Sequence, residues 1–318
     1  MKPILVLGDI NLDLVWGLPR FPHEGDDCPA DSLTSAPGGT GLNAATTIAA
    51  LGGRVRLIGR VGCDPASALV LSFAKEREID CSLVQKDPEL PTGLCSVAVP
   101  PSGQRTFFSH RGANPQLALT AALLDAVREA SLLLLGGHAL LTGPQRATAL
   151  QLCATAVAAQ VPVALDLALP TVRECPETLA RLLPDLWLLT CNRDELAAWR
   201  PGQDAAHALR ELVRQGVGQV ALKLGADGCL VGRHAELLHQ PPPPVAVVDT
   251  TGCGDAFAAA FAWALRRGAT LAAAAALANT LGALTATAWG GAAAVPTRAR
   301  LAQIVPRELL ALGEPARP

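Results

Sequence analysis

The stretch VVDTTGCGDAF brings together residue types suited to binding and transferring a phosphoryl group. A β-type run, VAVVD, is followed by Gly252 and Gly254, which introduce an Ala- and Phe-rich segment that is typical of a helix over residues 254–267. The first amides of a helix lack intrahelical partners and carry partial positive charge, and glycines let a ligand approach them without a Cβ in the way. The stretch therefore predicts an anion cradle suited to phosphate.

The carboxylate of Asp255 falls in the first turn of this helix, beside the predicted cradle. A carboxylate next to a phosphate is unfavourable unless it handles a proton, as the base of a phosphoryl transfer does. The alternative is that Asp255 only complements the helix dipole and that the glycines only form a turn. Asp249, Thr250 and Thr251 add more oxygen atoms just upstream than a turn requires, which favours the chemical interpretation.

Composition narrows the classes of function. The chain has 318 residues, of which 50% are hydrophobic and 17% charged, so it can fill a large core. A net charge of −2 and the absence of tyrosine give no basis for binding nucleic acid or an acidic membrane. Residues 268–297 carry no charged side chain, but their Ala-, Gly- and Thr-rich composition favours a buried helix over a membrane span. We expect neither nucleic acid nor membrane as a partner.

The cysteines and histidines indicate a reducing compartment. The nine cysteines form no C-x-x-C pair, and their odd number in a long chain favours reduced thiols. The six histidines show no paired spacing of a zinc site. We expect a cytoplasmic protein.

Short apolar runs alternate with helical patterns along the chain. Strands are predicted over residues 4–9, 55–62, 131–137, 161–168, 186–192 and 219–225. Helices are predicted over residues 41–51, 145–160, 193–200 and 205–216. Such alternation predicts an α/β fold with a doubly wound, mainly parallel sheet that is covered by helices on both faces.

Two segments depart from this alternation. Residues 12–36 and 92–110 resemble β-hairpin material and are expected to form a small β lid that grows out of the main sheet. Neither a linker nor an internal repeat divides the chain. We therefore predict one domain over residues 1–318, with the two lid segments inserted in it.

Several motifs, in order along the chain, resemble those of the ribokinase-like (PfkB) carbohydrate kinases. DTTGCGDAF is similar to the family's C-terminal signature D-T-x-G-A-G-D-x-F, with Cys253 where the family commonly has alanine. GDINLD followed by PGGTGLNAATTIAALGG resembles the N-terminal signature, and RGAN, CNRDE and KLGADG follow in the family's order. The resemblance spans essentially the whole chain and implies an ATP-dependent kinase with a ribokinase-like fold.

At the reacting end, the resemblance implies that Asp255 is the general base. Backbone amides would hold the charge on the transferring phosphoryl, at Gly252, Cys253 and Gly254. It also implies a monovalent-cation site that includes Asp249 and Thr251, with backbone around residues 289–292 completing it. The resemblance leaves the need for K⁺ open.

On the nucleotide side, Asn192 and Glu195 match the family's N-x-x-E, which acts at the Mg²⁺–phosphate end. The same two residues fit a helix capping box, and both interpretations can hold together. Three further residues resemble the loop that flanks ATP: Lys223, Gly225 and Gly228. Asn279 falls where the family often contacts adenine, although a polar partner inside a buried helix is an equal alternative. ATP and Mg²⁺ are the implied cofactors.

On the sugar side, four residues match the positions that bind sugar hydroxyls: Asn11, Asp13, Gly39 and Asn43. Thr40 replaces the lysine of the ribokinase G-G-K-G-x-N, which weakens a specific ribose assignment. His138 stands where ribokinases tend to carry glutamate, and a histidine of the core is the alternative. Asp166 lies in a segment that only loosely resembles the family's D-P-N-x-R, and we assign it no catalytic role.

The favoured interpretation is a kinase of a small sugar, with Asp255 as base. One alternative is a nucleoside kinase of the same fold, since Trp16, Phe21, Phe107 and Phe108 of the lid segments leave room for an apolar slot. The other is a sugar or nucleoside sensor without catalysis. Loss of Asp255 or of the cradle glycines would have supported a sensor, but all of them are present, so catalysis is favoured. Because lid strands with exposed edges often pair between subunits, we expect a homodimer through the lid.

Overall fold

The computed structural model describes residues 2–101, 106–306 and 310 of the chain. Its strands are β1 Ile4–Leu7, β2 Asn11–Gly17, β3 Ser32–Gly38, β4 Val55–Gly62, β5 Asp80–Asp87, β6 Gly93–Val99, β7 Thr106–His110, β8 Leu132–Gly136, β9 Val163–Asp166, β10 Leu188–Asn192, β11 Val220–Lys223, β12 Cys229–Arg233 and β13 Glu236–Gln240. Its helices are α1 Thr40–Ala50, α2 Pro65–Glu76, α3 Ala121–Arg128, α4 Gly143–Ala158, α5 Leu169–Glu174, α6 Pro176–Leu182, α7 Arg193–Trp199, α8 Ala205–Arg214, α9 Cys253–Arg266, α10 Leu271–Thr285, α11 Gly291–Ala294 and α12 Arg298–Ile304.

The main sheet has nine strands in the order β13-β12-β11-β10-β9-β8-β1-β4-β5. From β11 to β5 every neighbouring pair is parallel, and β12 and β13 add an antiparallel edge. Sequential strands therefore lie on both sides of β1. This arrangement confirms the predicted doubly wound, mainly parallel sheet.

The apolar strands are explained by burial on both faces of this sheet. In β1, Ile4 and Val6 pack into the core layer that contains α1, α9 and α10. The alternate residues Leu5 and Leu7 pack into the opposite layer, with α3, α4 and α8. Successive side chains of a strand point to opposite faces, so a strand covered on both faces must be apolar throughout.

A second, four-stranded sheet forms the lid, in the order β3-β2-β6-β7. Asn11 at the start of β2 is opposite Gly38 at the end of β3 and Gly93 at the start of β6. The three strand ends therefore meet where the lid leaves the main sheet. The predicted β lid is confirmed, while residues 102–105 of its second segment lie outside the described residues.

One local expectation was wrong, and two were right. VAVVD before the cradle is not a strand but an irregular segment, held by hydrogen bonds from the amides of Val248 and Asp249 to the carbonyl of Ala286. The end of the first lid segment does form a strand, β3, whose backbone partners lie in the lid sheet. The uncharged run 268–297 does form a buried helix, α10, and within the described residues every helix falls short of the length and hydropathy a membrane span requires.

Candidate active site

The amino end of α9 lies at the carboxyl edge of the main sheet and is left open to a ligand. Gly252 precedes the helix in the left-handed conformation, with φ of 76°, and no side chain caps the helix there. By contrast, Asp64 and Thr270 cap α2 and α10 with their side chains. Only glycine fits position 252, because a Cβ would also lie 2.9 Å from the Cα of Gly291. The amide of Cys253 donates to the carbonyl of Thr250 at 3.3 Å, and the amino end of α9 has no side-chain cap, as an anion cradle would require.

Asp255 projects from the first turn of α9 and is held by α1. The Nδ2 of Asn43 donates to its Oδ2 at 2.7 Å. Asn43, matched by sequence to a sugar-binding position, thus contacts Asp255 directly. Its Oδ1 is buried and accepts no hydrogen bond within the described part of the chain, which leaves an unused acceptor beside Asp255.

The surroundings of Asp255 favour its protonated form. Burial raises the pKa of this carboxyl to about 7, and the charges of Asp166 and Asp13 add to the rise, against the opposing effects of Asn43 and Lys223. A carboxyl with a pKa near neutrality can take up a proton at physiological pH and release it again. This is the property that a general base requires.

Asp13 is a second buried carboxyl, on the inner side of the lid. It is 4% exposed. Burial and the nearby charge of Asp249 raise its pKa to about 7. A Cβ on Gly38 would lie 2.0 Å from its Oδ2, so the opposite lid strand must carry glycine there. Asp13 and Asp255 act on each other electrostatically, which places the predicted acceptor side next to the predicted base.

Asn11 is fixed by Asn114, a residue of the RGAN motif to which we assigned no role. Asn114 is fully buried, and its Nδ2 donates to Asn11 Oδ1 at 3.0 Å while its Oδ1 accepts from the amide of Ile10 at 2.9 Å. Gly93 leaves room for this pair, since a Cβ there would approach both side chains within 2.4 Å. Asn114 therefore locks the junction between β1 and the lid.

A buried ion pair lies under the same junction. The guanidinium of Arg111 donates to both oxygens of Asp9 at 2.7 Å, and Gln145 bonds to both partners. His138 lies near this pair, and burial lowers its pKa, which keeps the imidazole neutral. Its Nδ1 is buried without a hydrogen bond in the described structure. The fourth predicted sugar-side residue, Gly39, begins α1 with φ of 90°.

Asn192 and Glu195 form the capping box of α7. Asn192 Oδ1 accepts from the amide of Glu195 at 2.9 Å, and Glu195 Oε2 accepts from the amide of Asn192 at 2.8 Å. Burial raises the pKa of Glu195 to about 7, and the charge of Lys223 opposes the rise. The capping interpretation is therefore correct, and it fixes Glu195 at the carboxyl edge of the sheet.

Lys223 ends β11 next to the cradle. Its Nζ donates to Asp166 Oδ1 at 2.5 Å, and Thr190 donates to the same oxygen at 2.6 Å. Asp166, which received no role from the sequence, is therefore part of the site. The sequence marks Asp166 only as an acidic residue at the end of a buried strand. Its partner Lys223 comes from β11, two places away in the sheet.

The remaining predicted nucleotide residues cluster at the β11–β13 end of the sheet. Gly225 and Gly228 both have positive φ and bracket a tight turn after β11. Asn279 is buried in α10 and donates from Nδ2 to the carbonyl of Gln240 at 2.7 Å. A Cβ on Gly228 would also collide with that carbonyl. Asn279 therefore has a polar partner within the protein, which was the alternative to a contact with adenine.

Asp249 ties the segment before the cradle to the segment after α10. Its Oδ1 accepts from the amide and the hydroxyl of Thr251 at 2.9 and 2.8 Å, and its Oδ2 accepts from the amide of Gly290 at 2.9 Å. The two segments matched to a cation site are therefore adjacent.

Comparison with known proteins gives one consistent result. Residues 1–298 match the pfkB family of carbohydrate kinases. The chain is 30% identical to the aminoimidazole riboside kinase of Salmonella typhimurium over 311 residues, which cover 93% of this chain and 92% of that protein. It is 26% identical to the ribokinase of Bacillus subtilis over 312 residues, 96% of this chain and 100% of that protein.

A solved structure agrees with the sequence matches. The Arabidopsis thaliana ribokinase complexed with ribose and ATP superposes with a TM-score of 0.81 at 27% identity, over 97% of this chain and 98% of that chain. Both the fold and the sequence are therefore shared along nearly the entire length.

The raised pKa of Asp255 makes its charge a burden on the folded state. The unfolded carboxyl has its ordinary pKa near 3.8, and the folded one about 7, so the cost is complete above pH 7 and vanishes as pH falls towards 4. We predict that Asp255→Asn raises the free energy of unfolding by about 1–3 kcal/mol at pH 8, with a smaller gain at pH 5. Urea unfolding at both pH values, beside the exposed control Asp27→Asn, measures this. A variant less stable than wild type at pH 8 would contradict it.

Proposed function

This chain belongs to the pfkB family of carbohydrate kinases, and from that premise we propose that it phosphorylates a hydroxyl of a small sugar with Asp255 as the general base. As a kinase of this family it is an ATP-dependent phosphotransferase. The observation that carries the proposal is the position of Asp255: its carboxyl, with a pKa of about 7, stands in the first turn of a helix whose amino end has no side-chain cap. A base and an anion cradle are thus adjacent.

The proposed reaction is an in-line transfer. Asp255 takes the proton of the acceptor hydroxyl as the oxygen attacks the γ-phosphorus of ATP, and the bond to the ADP oxygen breaks. The backbone amides at Gly252, Cys253 and Gly254 receive the charge on the transferring group. Asn43 orients the carboxylate through its hydrogen bond, which leaves the second oxygen of Asp255 for the proton.

We assign Mg²⁺ to the end of the site formed by Asn192 and Glu195. The raised pKa of Glu195 shows a carboxylate poor in compensating charge, which a cation would supply. No group of three or more potential metal-ligating side chains occurs in the part of the chain that the structure describes, which suits an ion held largely by phosphate oxygens and water. When bound with ATP, Mg²⁺ neutralises phosphate charge. Lys223, Gly225, Gly228 and Asn279 complete the proposed nucleotide site.

The acceptor site is assigned to the groups around the lid junction. Asn11, Asp13, Gly39 and Asn43 offer donors and acceptors for hydroxyls, and Asn114 fixes the first of them. A sugar binds such a site by pairing each buried polar group. The aminoimidazole riboside kinase among the relatives favours a second candidate, a nucleoside acceptor whose ribose occupies the same site.

An assay of ADP release tests the proposal with pentoses, hexoses, keto-sugar acids and nucleosides as acceptors. We predict acceptor-dependent turnover in the wild type and a kcat about 10²–10⁴-fold lower in Asp255→Asn, with little change in the KM for ATP. Because the base must be ionised, kcat/KM should rise with pH and level off above the pKa of about 7.

Three outcomes would count against parts of this account. Undiminished turnover in Asp255→Asn would remove Asp255 as base. A preference for nucleosides over every sugar would select the second candidate. Silence across the panel, with calorimetry still detecting a bound sugar or nucleoside, would indicate a sensor. Asp27→Asn serves as the matched exposed control, because it makes the same substitution at a solvent-exposed carboxylate.

We further propose a monovalent-cation site at Asp249 and Thr251, completed by backbone of the segment around Gly290. The bonds from Asp249 to both segments support it, since they hold two loops of carbonyl groups together. Turnover should be faster in KCl than in tetramethylammonium chloride of equal ionic strength. Of these two cations, K⁺ is small enough to be coordinated by carbonyl oxygens, and tetramethylammonium is not. Equal rates in the two salts would remove this site.

The outer strand of the lid supports a homodimer. All residues of β7 are exposed, among them Phe107 and Phe108 at 50% and 58%. Such an edge can pair with a second copy. We predict that the wild type is a dimer by gel filtration with light scattering and that Phe108→Glu is a monomer, whereas Leu69→Glu on α2, also exposed, stays dimeric. A monomeric wild type at working concentration would contradict this.

A further inference from the structure

We propose that Lys223 is a catalytic residue whose ammonium contacts the γ-phosphoryl group in transit, and that Asp166 and Thr190 are positioning residues that aim it. This rests on the proposed kinase function and deepens it. It assigns Lys223 to the reacting end of ATP rather than to the loop that flanks the nucleotide. It also gives a role to two residues to which no role is otherwise assigned.

Three neighbouring strands build this group. Asp166, Thr190 and Lys223 come from β9, β10 and β11, which are adjacent and parallel. Thr190 is paired in register with Asp166, and its hydroxyl donates to the same carboxylate oxygen that accepts from Lys223. All three side chains are held in the sheet, since Asp166 and Thr190 are 9% and 1% exposed. The ammonium is therefore fixed in direction.

The ammonium reaches the cradle itself. A Cβ on Gly254 would lie 3.2 Å from Lys223 Nζ, so the ammonium lies against the first turn of α9. An ammonium has three N–H donors, and the bond to Asp166 uses one. The others are available to oxygens of a group that sits in the cradle.

The charge on Lys223 is secure although the side chain is inside the protein. Burial lowers its pKa, but the carboxylates of Asp166, Glu195 and Asp255 outweigh burial and raise it overall. Lys223 therefore stays protonated beside the cradle.

On the α1 side of the site, position 40 offers only a neutral hydroxyl. Thr40, Asp166 and Asp255 line a cavity of about 10 Å³, which is too small for anything beyond a single water.

The chemistry fits this placement. As the oxygen of the acceptor forms its bond to phosphorus and the bond to the ADP oxygen breaks, the phosphoryl group carries its negative charge on the three non-bridging oxygens. The N–H donors of Lys223 would bond to those oxygens, and the acceptor proton goes to Asp255. Loss of one preorganised donor at such a position typically costs about 10²–10³ in kcat.

Comparison of two nucleotides separates this role from a role in holding the nucleotide. We predict that Lys223→Met lowers kcat about 10²–10³-fold. By calorimetry with Mg²⁺ present, it should weaken binding of the non-hydrolysable ATP analogue AMP-PNP at least tenfold and change ADP binding less than twofold. Lys75→Met, an exposed lysine of α2, should leave all three values unchanged. Lys223→Arg, which keeps the charge, should recover part of the lost preference for AMP-PNP over ADP.

Equal weakening of AMP-PNP and ADP by Lys223→Met would overturn the proposal, as would unchanged binding with a wild-type kcat. The binding measurements need no acceptor substrate. If the wild type phosphorylates nothing, the proposed function fails, while the preference for AMP-PNP over ADP still decides the role of Lys223.

Two variants test the positioning residues. Asp166→Asn should lower kcat roughly tenfold or more and leave ADP binding within twofold of wild type, and Thr190→Val should act in the same direction but less strongly. Thermal unfolding identifies any variant that has lost its fold. A folded Asp166→Asn enzyme with the kcat of wild type would contradict the positioning role.

Discussion

The hydrogen bond from Asn43 to Asp255 joins the amino ends of two helices, and the rest of the site is arranged around it. Both α1 and α9 begin at a glycine with positive φ and without a side-chain cap, and the bond between Asn43 and Asp255 links the first turns of the two helices. Anions are attracted to an uncapped helix start, and Asp255 adds a carboxylate in the first turn of α9 beside it. Because β3 leads directly into α1, the same bond connects the lid to Asp255, the proposed base.

The surrounding charges explain how that carboxylate stays available. Burial raises the pKa of Asp255 to about 7, the charges of Asp166 and Asp13 add to the rise, and Asn43 and Lys223 oppose it. This balance destabilises the folded chain at neutral pH. Proteins often accept such a cost where an active site needs it. The buried pair of Asp9 and Arg111 and the bridging amide of Asn114 then stabilise the junction around it.

The sequence predicted the fold well because the signals for it are local. Apolar runs such as residues 131–137 alternate with helical patterns. A strand that is buried on both faces is apolar along its whole length, so its own residues identify it. Asp255 and its glycines could be proposed as a site for the same reason, since helix-end geometry depends on neighbours in the chain. The irregular segment before the cradle was taken for a strand because its valines have strand propensity, whereas its partner is a single carbonyl, that of Ala286.

What the sequence did not reveal depends on strand order. Asp166 contacts Lys223 only because β9 and β11 lie on either side of β10 in the sheet. The hydrophobic periodicity of the sequence does not predict that strand order. Asn114 meets Asn11 across more than 100 positions of chain. Asn43 was matched to the sugar site, and its contact with Asp255 became visible only when α1 and α9 were packed together.

The pKa of Asp255 tests the account most directly. It can be measured by a ¹³C NMR titration of protein labelled at the Asp side-chain carboxyls, with Asp255→Asn identifying the resonance. We predict a midpoint near 7, because burial and the charges of Asp166 and Asp13 raise this pKa more than Asn43 and Lys223 lower it. A midpoint near the ordinary value of 3.8 would show that the site does not tune this residue, and would contradict its role as the base.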